Sequence, residues 1–255
     1  MNASIKPRRS DAEIQARVDL AACYRLAAHF GLNEGIDNHL TVMVPGCLDQ
    51  FLLAPFGLLW SEVRASDLLA IDFEGRVVSG HGLVEDTARY IHLPVHRTAP
   101  HARVALHTHM PYATALCMLD NPRLEMAGQS ALAFHDDIAY EADYNGLAFD
   151  QTEGQRLASA LGPKSVLMMR NHGVLVVGAT VPVTFERLYF LERAAQAQIL
   201  ALSTGRPLRL IPDAVVMATA AQFKSGGMVG GRGRAELHFA ALKRMLDRTS
   251  PDYAS

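Results

Sequence analysis

No apolar run in this sequence approaches the roughly 18 residues that a membrane-spanning helix needs, so no membrane partner is expected. Excess charge is also lacking: 24 Lys and Arg against 26 Asp and Glu leave a formal net charge of −2. Such a chain has no overall field to draw in nucleic acid. Cysteine is scarce, and Cys23, Cys47 and Cys117 lie far apart without paired spacing. That predicts free, buried thiols and a reducing compartment, the cytoplasm. No apolar stretch follows Lys6, Arg8 and Arg9, so residues 1–10 read as a flexible tail rather than a signal peptide. No internal repeat and no Pro/Ser-rich linker divides the middle of the chain. With 49 % apolar and 20 % charged residues the composition is that of a globular domain.

What the chain does have is histidine, 11 in all, several of them between His81 and His109. Val104-Ala105-Leu106 reads as a short buried strand that ends in His107-Thr108-His109. Side chains alternate along a strand, so His107 and His109 point the same way, and two imidazoles on one rigid edge suit a divalent cation. Pro111 then stops the ladder. A third ligand is expected at the end of a neighbouring strand. His172 qualifies: Arg170-Asn171-His172-Gly173 turns between apolar Val166–Met169 and Val174–Val177, and Gly173 permits close backbone approach. Three imidazoles with an open position make a catalytic rather than a structural centre.

The periodicities supply the frame. Helices are expected over Asp11–Phe30, capped by Ser10 or Asp11 and stopped at Gly31, then over Glu62–Leu69, Thr87–Arg97, Tyr112–Leu119, Glu153–Leu161, Thr184–Leu202 and Ala235–Leu246. Strands are expected at Leu40–Val44, Phe51–Ala54, Ala70–Phe73, Arg76–Val78, Ala131–Phe134 and Ile138–Tyr140, besides those named above. Ser225 to Gly233 reads as a glycine-rich loop, with Gly226 to Gly233 able to close over a site. Strands arrive both as hairpins and after helices, which predicts a mixed sheet covered by helices in one domain.

Leu106-His107-Thr108-His109, preceded by Ile91-His92 and followed by Arg170-Asn171-His172-Gly173, resembles the class II aldolase/adducin family. Asn38-His39-Leu40-Thr41-Val42, Phe51 to Gly57, Glu62, Ala65-Ser66-Asp67-Leu68 and Leu191 to Gln196 agree with its adducin-like branch. The resemblance covers residues 11–210 and leaves 211–255 as a C-terminal extension. It implies a single three-layer α/β/α domain with a central mixed, largely antiparallel sheet, and a homotetramer with sites at subunit interfaces. It also implies a divalent metal on His107, His109 and His172, Zn2+ in the first place, with Mn2+ or Fe2+ as alternatives.

The departures narrow the substrate. Where the sugar-phosphate aldolases carry their catalytic glutamate, four residues before His92, this chain has Ala88; Glu85, one turn earlier, is the expected acid/base. Their phosphate pocket maps onto His39, Phe56 beside Gly57, and Asp86 with Thr87, poor company for a phosphate. Their proton-donor tyrosine falls near Gly128 or Gln129. Phe56, Trp60 and Tyr144 offer a more apolar volume, and Arg170 or Arg89 a grip on a carboxylate. The expected activity is a metal-dependent lyase, by retro-aldol cleavage or decarboxylation, on a small non-phosphorylated hydroxy or oxo acid. The alternatives are a non-haem iron oxygenase and a non-catalytic adducin-like binding module. Adducin's long basic tail is not expected here: only Lys243, Arg244 and Arg248 lie near Ser255.

Overall fold

A computed structural model describes residues 9–226, 228 and 231–255. Most of the expected N-terminal tail, and part of the expected glycine-rich lid (227, 229 and 230), lie outside the described residues.

The first helix, α1 (Asp11–His29), starts where the Ser10 hydroxyl accepts the Glu13 N–H at 3.1 Å. Asp11 and Glu13 add negative charge at its positive end. It stops at Gly31, whose φ of +66° lets the chain reverse and Leu32 N–H close on Ala27 at 2.9 Å. Eight strands follow in one sheet: β1 (His39–Met43), β2 (Gln50–Leu53), β3 (Leu69–Asp72), β4 (Val77–Ser79), β5 (Val104–Thr108), β6 (Ile138–Glu141), β7 (Val166–Met169) and β8 (Gly173–Gly178). Their order is β4-β3-β2-β1-β5-β8-β7-β6. Only β6 and β7 pair in parallel, so the sheet is mixed and largely antiparallel as expected.

The central strands are buried on both faces, and alternation decides which layer each residue joins. Val104 and Leu106 of β5, Val166 and Met168 of β7, and Val174 and Val176 of β8 face one core with α1, α3 (Pro111–Cys117) and α5 (Val181–Leu202). Ala105, Leu167, Met169, Leu175 and Val177 face the other with α2 (Asp86–Thr98) and α4 (Gln151–Leu161). The result is the α/β/α sandwich. After α5 come α6 (Asp213–Ser225) and α7 (Arg234–Thr249), and a 3-10 turn at Pro251–Ala254. Among the described residues no helix is long and apolar enough to cross a membrane.

Three expectations change. The expected helix Glu62–Leu69 is instead turn and loop up to Leu68, with Leu69 opening β3, because the Ala65 and Ser66 N–H groups donate to Tyr253 and Ser255 of the C-terminal segment, each at 2.9 Å, instead of to a preceding helical turn. Ala131–Phe134 is not a strand. It belongs to a 3-10 helix, Gln129–Phe134, whose Ala131 N–H closes on the Gly128 carbonyl at 3.0 Å. Helix α6 has no counterpart in the sequence reading, since only Val216 and Ala220 are buried and the apolar residues form no single stripe.

Pro94 lies inside α2 and leaves the Tyr90 carbonyl without its helical donor. Gly154 of α4 packs against that same carbonyl, and a Cβ there would strike it. Gly154→Ala is therefore expected to cost roughly 1–3 kcal/mol by forcing α2 and α4 apart, measured as a lowered urea midpoint.

Candidate metal centre

Strand pairing sets His39 of β1 directly opposite His107 of β5. His39 and Thr41 occupy the same alternating positions as Met43, which packs on the α2 side of the sheet. His107 likewise shares the parity of Ala105 and faces that side. The strand ends at Thr108, so His109 lies beyond the ladder, and loop residues 33–38 hold it. Its N–H donates to Asn38 Oδ1 at 3.0 Å, and its Nδ1 lies 2.5 Å from Glu34 Oε2. Immediately afterwards Pro111 opens α3 as its first residue, where a missing N–H costs nothing. Buried Glu192 of α5 accepts the Tyr112 and Ala113 N–H groups at 2.9 Å each, fixing that helix start and the His109 backbone before it.

The third histidine comes from the β7–β8 turn. Asn171 there takes a φ of +53°, a left-handed conformation that asparagine tolerates. A Cβ on Gly173 would lie 2.6 Å from the His109 ring and 2.7 Å from the Thr108 carbonyl, so only glycine lets β8 run this close. His107, His109 and His172 converge: their candidate ligand nitrogens all lie within 4.8 Å of one another. Ring centroids are 4.9–5.1 Å apart in every pair.

The hydrogen bonds make the arrangement suit a cation. His107 Nδ1–H donates to the Val174 carbonyl at 2.9 Å, and His109 Nδ1–H faces Glu34. Both rings thereby leave Nε2 bare as a ligand, the tautomer a metal requires. His109 Nε2 is buried with no hydrogen-bond partner, which a polar atom rarely tolerates unless something else fills the site. Burial and the neighbouring imidazoles hold His107 far below the usual histidine range, and burial brings His172 down to about 4. Neutral rings are what a divalent cation binds.

Beside this centre lies a second polar cluster that the sequence reading did not assemble. His39 Nδ1 is 2.8 Å from His92 Nε2; Thr41 Oγ1 is 2.6 Å from His92 Nδ1 and 2.8 Å from His96 Nε2; His96 Nδ1 is 2.7 Å from the Ala102 carbonyl. Toward solvent, Thr87 Oγ1 bridges His39 Nε2 at 3.1 Å and Glu85 Oε1 at 2.5 Å. Glu85, the expected acid/base, is thus linked to His39, whose ring lies 5.1 Å from that of His107. Glu85 is the N-cap of α2, yet its side chain makes no capping bond.

Burial keeps the rings of this cluster neutral, with His96 near 4 and His92 well below the usual range. The unfolded chain binds a proton at each of these rings near pH 6.5, while the folded chain does not until much lower pH. Stability is therefore complete above about pH 6.5 and falls as pH drops toward 4. His96 alone accounts for about 3 kcal/mol, read from urea unfolding across this range; His96→Gln is expected to flatten the slope.

The remaining expected site residues are more scattered. Phe56 and Glu85 line a small cavity of about 20 Å³ beside His39, enough for about one water, and Gly57 makes the adjoining turn at a φ of +102°. Trp60, only 2 % exposed, packs edge-on against Tyr24 and belongs to the core. Tyr144 lines a separate open cavity of about 510 Å³ with His109, His172, Glu34, Thr114 and Asn171. Asp86 pairs with Arg89 and Arg170 with Asp120, each at 3.5 Å on the surface. Neither Asp86 nor Arg170 is among the residues lining these two cavities.

Comparison with known proteins decides the family. The family described as "Class II Aldolase and Adducin N-terminal domain" matches residues 18–199. The chain belongs to the class II aldolase and adducin family. A Caulobacter vibrioides protein named for the class 2 aldolases is 38 % identical over 254 residues, 98 % of this chain and 96 % of its own. Alpha-adducin of Mus musculus is 34 % identical over 91 % of this chain, which spans only 33 % of adducin's length. The solved L-fuculose 1-phosphate aldolase of Glaciozyma antarctica PI12 superposes with a TM-score of 0.81 at 26 % identity, covering 97 % of this chain and 96 % of its own. Within this class II aldolase fold the three histidines stand where the end of β5 meets the turn between β7 and β8.

Proposed function

We propose that this class II aldolase family member is a divalent-metal-dependent lyase. Its substrate is a small, non-phosphorylated hydroxy or oxo acid, cleaved by a retro-aldol step or by decarboxylation. The observation that carries the reading is the convergence of three imidazoles around a buried His109 Nε2 with no hydrogen-bond partner among the described residues. His107, His109 and His172 would hold the cation, Zn2+ before Mn2+ or Fe2+. When bound it polarises a substrate carbonyl or hydroxyl and stabilises enolate charge.

The chain's own residues do the rest. Glu34 and the Val174 carbonyl fix the tautomers of His109 and His107. Glu85 takes up or returns the substrate proton at its carboxyl oxygen, with Thr87 and His39 holding it in place. No Lys or Arg is among the described residues lining the open cavity, which favours an unphosphorylated substrate there. Met118 and Leu147, each 62 % exposed on that cavity, support a homo-oligomer in which a second copy covers the rim; the tetramer is what the family resemblance implies.

The likeness to alpha-adducin favours one other reading, a binding module without chemistry. Metal analysis of the purified protein, followed by assays of aldehyde and CO₂ release from a panel of hydroxy acids with Zn2+, Mn2+ or Fe2+, separates the two. One metal per chain and release of either product are expected. A chain that takes up no metal and releases neither is the binding module, and oxygen consumption with iron would make it an oxygenase.

A further inference from the structure

We infer that Tyr144 is the side chain that selects the end of the substrate remote from the metal, and that Arg156 is the positioning residue that aims it. The inference rests on the reading of His107, His109 and His172 as a metal centre and adds the chemistry of the other end. Strand β6 pairs with β7 in parallel, with Glu141 opposite Met169. Both strands therefore leave the sheet at the same end: β7 into the turn that carries His172, β6 into the loop that carries Tyr144. In open α/β sheets ligands gather at such carboxyl ends. The Tyr144 ring meets the His172 ring edge-on, centroids 6.5 Å apart, and both line the open cavity of about 510 Å³. That volume suits a small molecule.

The loop is held from below. Glu141 is buried, and the Arg156 guanidinium of α4 pairs with it at 2.5 Å while holding Glu153 through two bonds, at 2.6 and 2.8 Å. A buried carboxylate needs such company. The same two groups grip the residue before Tyr144: the Asp143 N–H donates to Glu141 Oε1 at 3.0 Å, and the Asp143 carbonyl accepts from Arg156 Nη2 at 3.3 Å. Two residues after Tyr144, Gly146 turns the chain at a φ of +99°. Other polar groups of the cavity are engaged within the protein. Glu34 Oε2 faces His109 Nδ1 at 2.5 Å, the Asn33 amide donates to the Gly35 carbonyl at 3.1 Å, and the Thr114 hydroxyl is buried. Asn171 adds one amide. The largest surface left to a bound molecule is the Tyr144 ring, which Met118 and Leu147 continue toward the rim. Such a wall fits an uncharged, flat, apolar end rather than a second carboxylate or a phosphate.

Two hydroxamates that chelate a divalent ion through the same group read this directly: benzohydroxamate, which carries a flat apolar ring, and acetohydroxamate, which carries a methyl group. Isothermal titration calorimetry of the full chain, with and without Zn2+, gives the ratio of their affinities. Benzohydroxamate is expected to bind the Zn2+-loaded chain about tenfold tighter. The preference should vanish in Tyr144→Ala and persist in Tyr144→Phe, with Zn2+ affinity unchanged in both. Arg156→Lys keeps a charge between Glu141 and Glu153 but lacks the forked nitrogens that reach Asp143 as well. Loss of the preference in that variant, at unchanged Zn2+ affinity, assigns Arg156 the aiming of the ring, and a preference kept there overturns that role. No preference in the native chain, or one that survives in a folded Tyr144→Ala, overturns the inference. The metal reading fails separately: affinities that do not depend on Zn2+ strike it, while their ratio still reads Tyr144.

Discussion

His172→Ala is expected to lose tight metal binding while the fold stays intact. The side chain projects from a turn between β7 and β8, and the backbone bonds that shape this turn, Asn171 N–H to Cys117 and His172 N–H to Met169, do not involve it. Removing the ring leaves two imidazoles, and two are a poor cage for a divalent ion. Loss of a group that merely orients a ligand already costs 10–100-fold in affinity, so loss of a ligand should exceed about 100-fold. Titration with Zn2+, or the absorption of a Co2+ complex, reads this directly, and an unchanged melting temperature of the metal-free protein checks the fold. His107→Ala is the weaker probe: His107 is buried and tied to Val174, so its removal leaves a cavity and an orphaned carbonyl as well. Undiminished metal uptake by His172→Ala would mean that the three rings do not act as one centre.

Much of this arrangement is legible from local pattern, and the rest is hidden for a physical reason. Alternation along Val104–Thr108 predicts β5 and the side that His107 faces, because a strand buried on both faces leaves no other register. The turn at Arg170–Gly173 is equally readable, since asparagine and glycine take backbone conformations that other residues avoid. His109 joins the centre differently from what the period of two implies. The strand has ended, and loop contacts from Glu34 and Asn38, more than seventy residues earlier, hold it in place. Long-range contacts of that kind leave no periodic trace. The cluster of His39, Thr41, His92 and His96 did leave one: two residues apart on a strand, four apart on a helix, each pair on one face. What no local rule supplies is that these two faces meet. The same gap explains Glu62–Leu69, whose helical composition loses to hydrogen bonds that Ala65 and Ser66 N–H groups donate to carbonyls at the far C-terminus.

Glu85→Gln should separate binding from chemistry. At the position where the family resemblance implies a glutamate, this chain has Ala88, buried on α2 and lining the same small cavity as Glu85. The ordinary task of a carboxylate at the N-cap is to accept an N–H of the first turn, and the Glu85 side chain does not do so. It reaches instead to Thr87 and to within 3.9 Å of His39, the ring that stands against His107. A glutamine preserves shape and hydrogen bonding but cannot exchange a proton, so metal content and KM should change little while kcat drops about 10²–10⁴-fold. Asp86→Asn is the matched control. That carboxylate is adjacent in sequence but pairs with Arg89 on the surface, and its loss should leave turnover near the native rate. Turnover and metal content measured on the same preparations decide the matter: a Glu85→Gln protein as fast as the native chain would put the proton transfer on another residue, whereas one that loses turnover but keeps its metal assigns the step to Glu85.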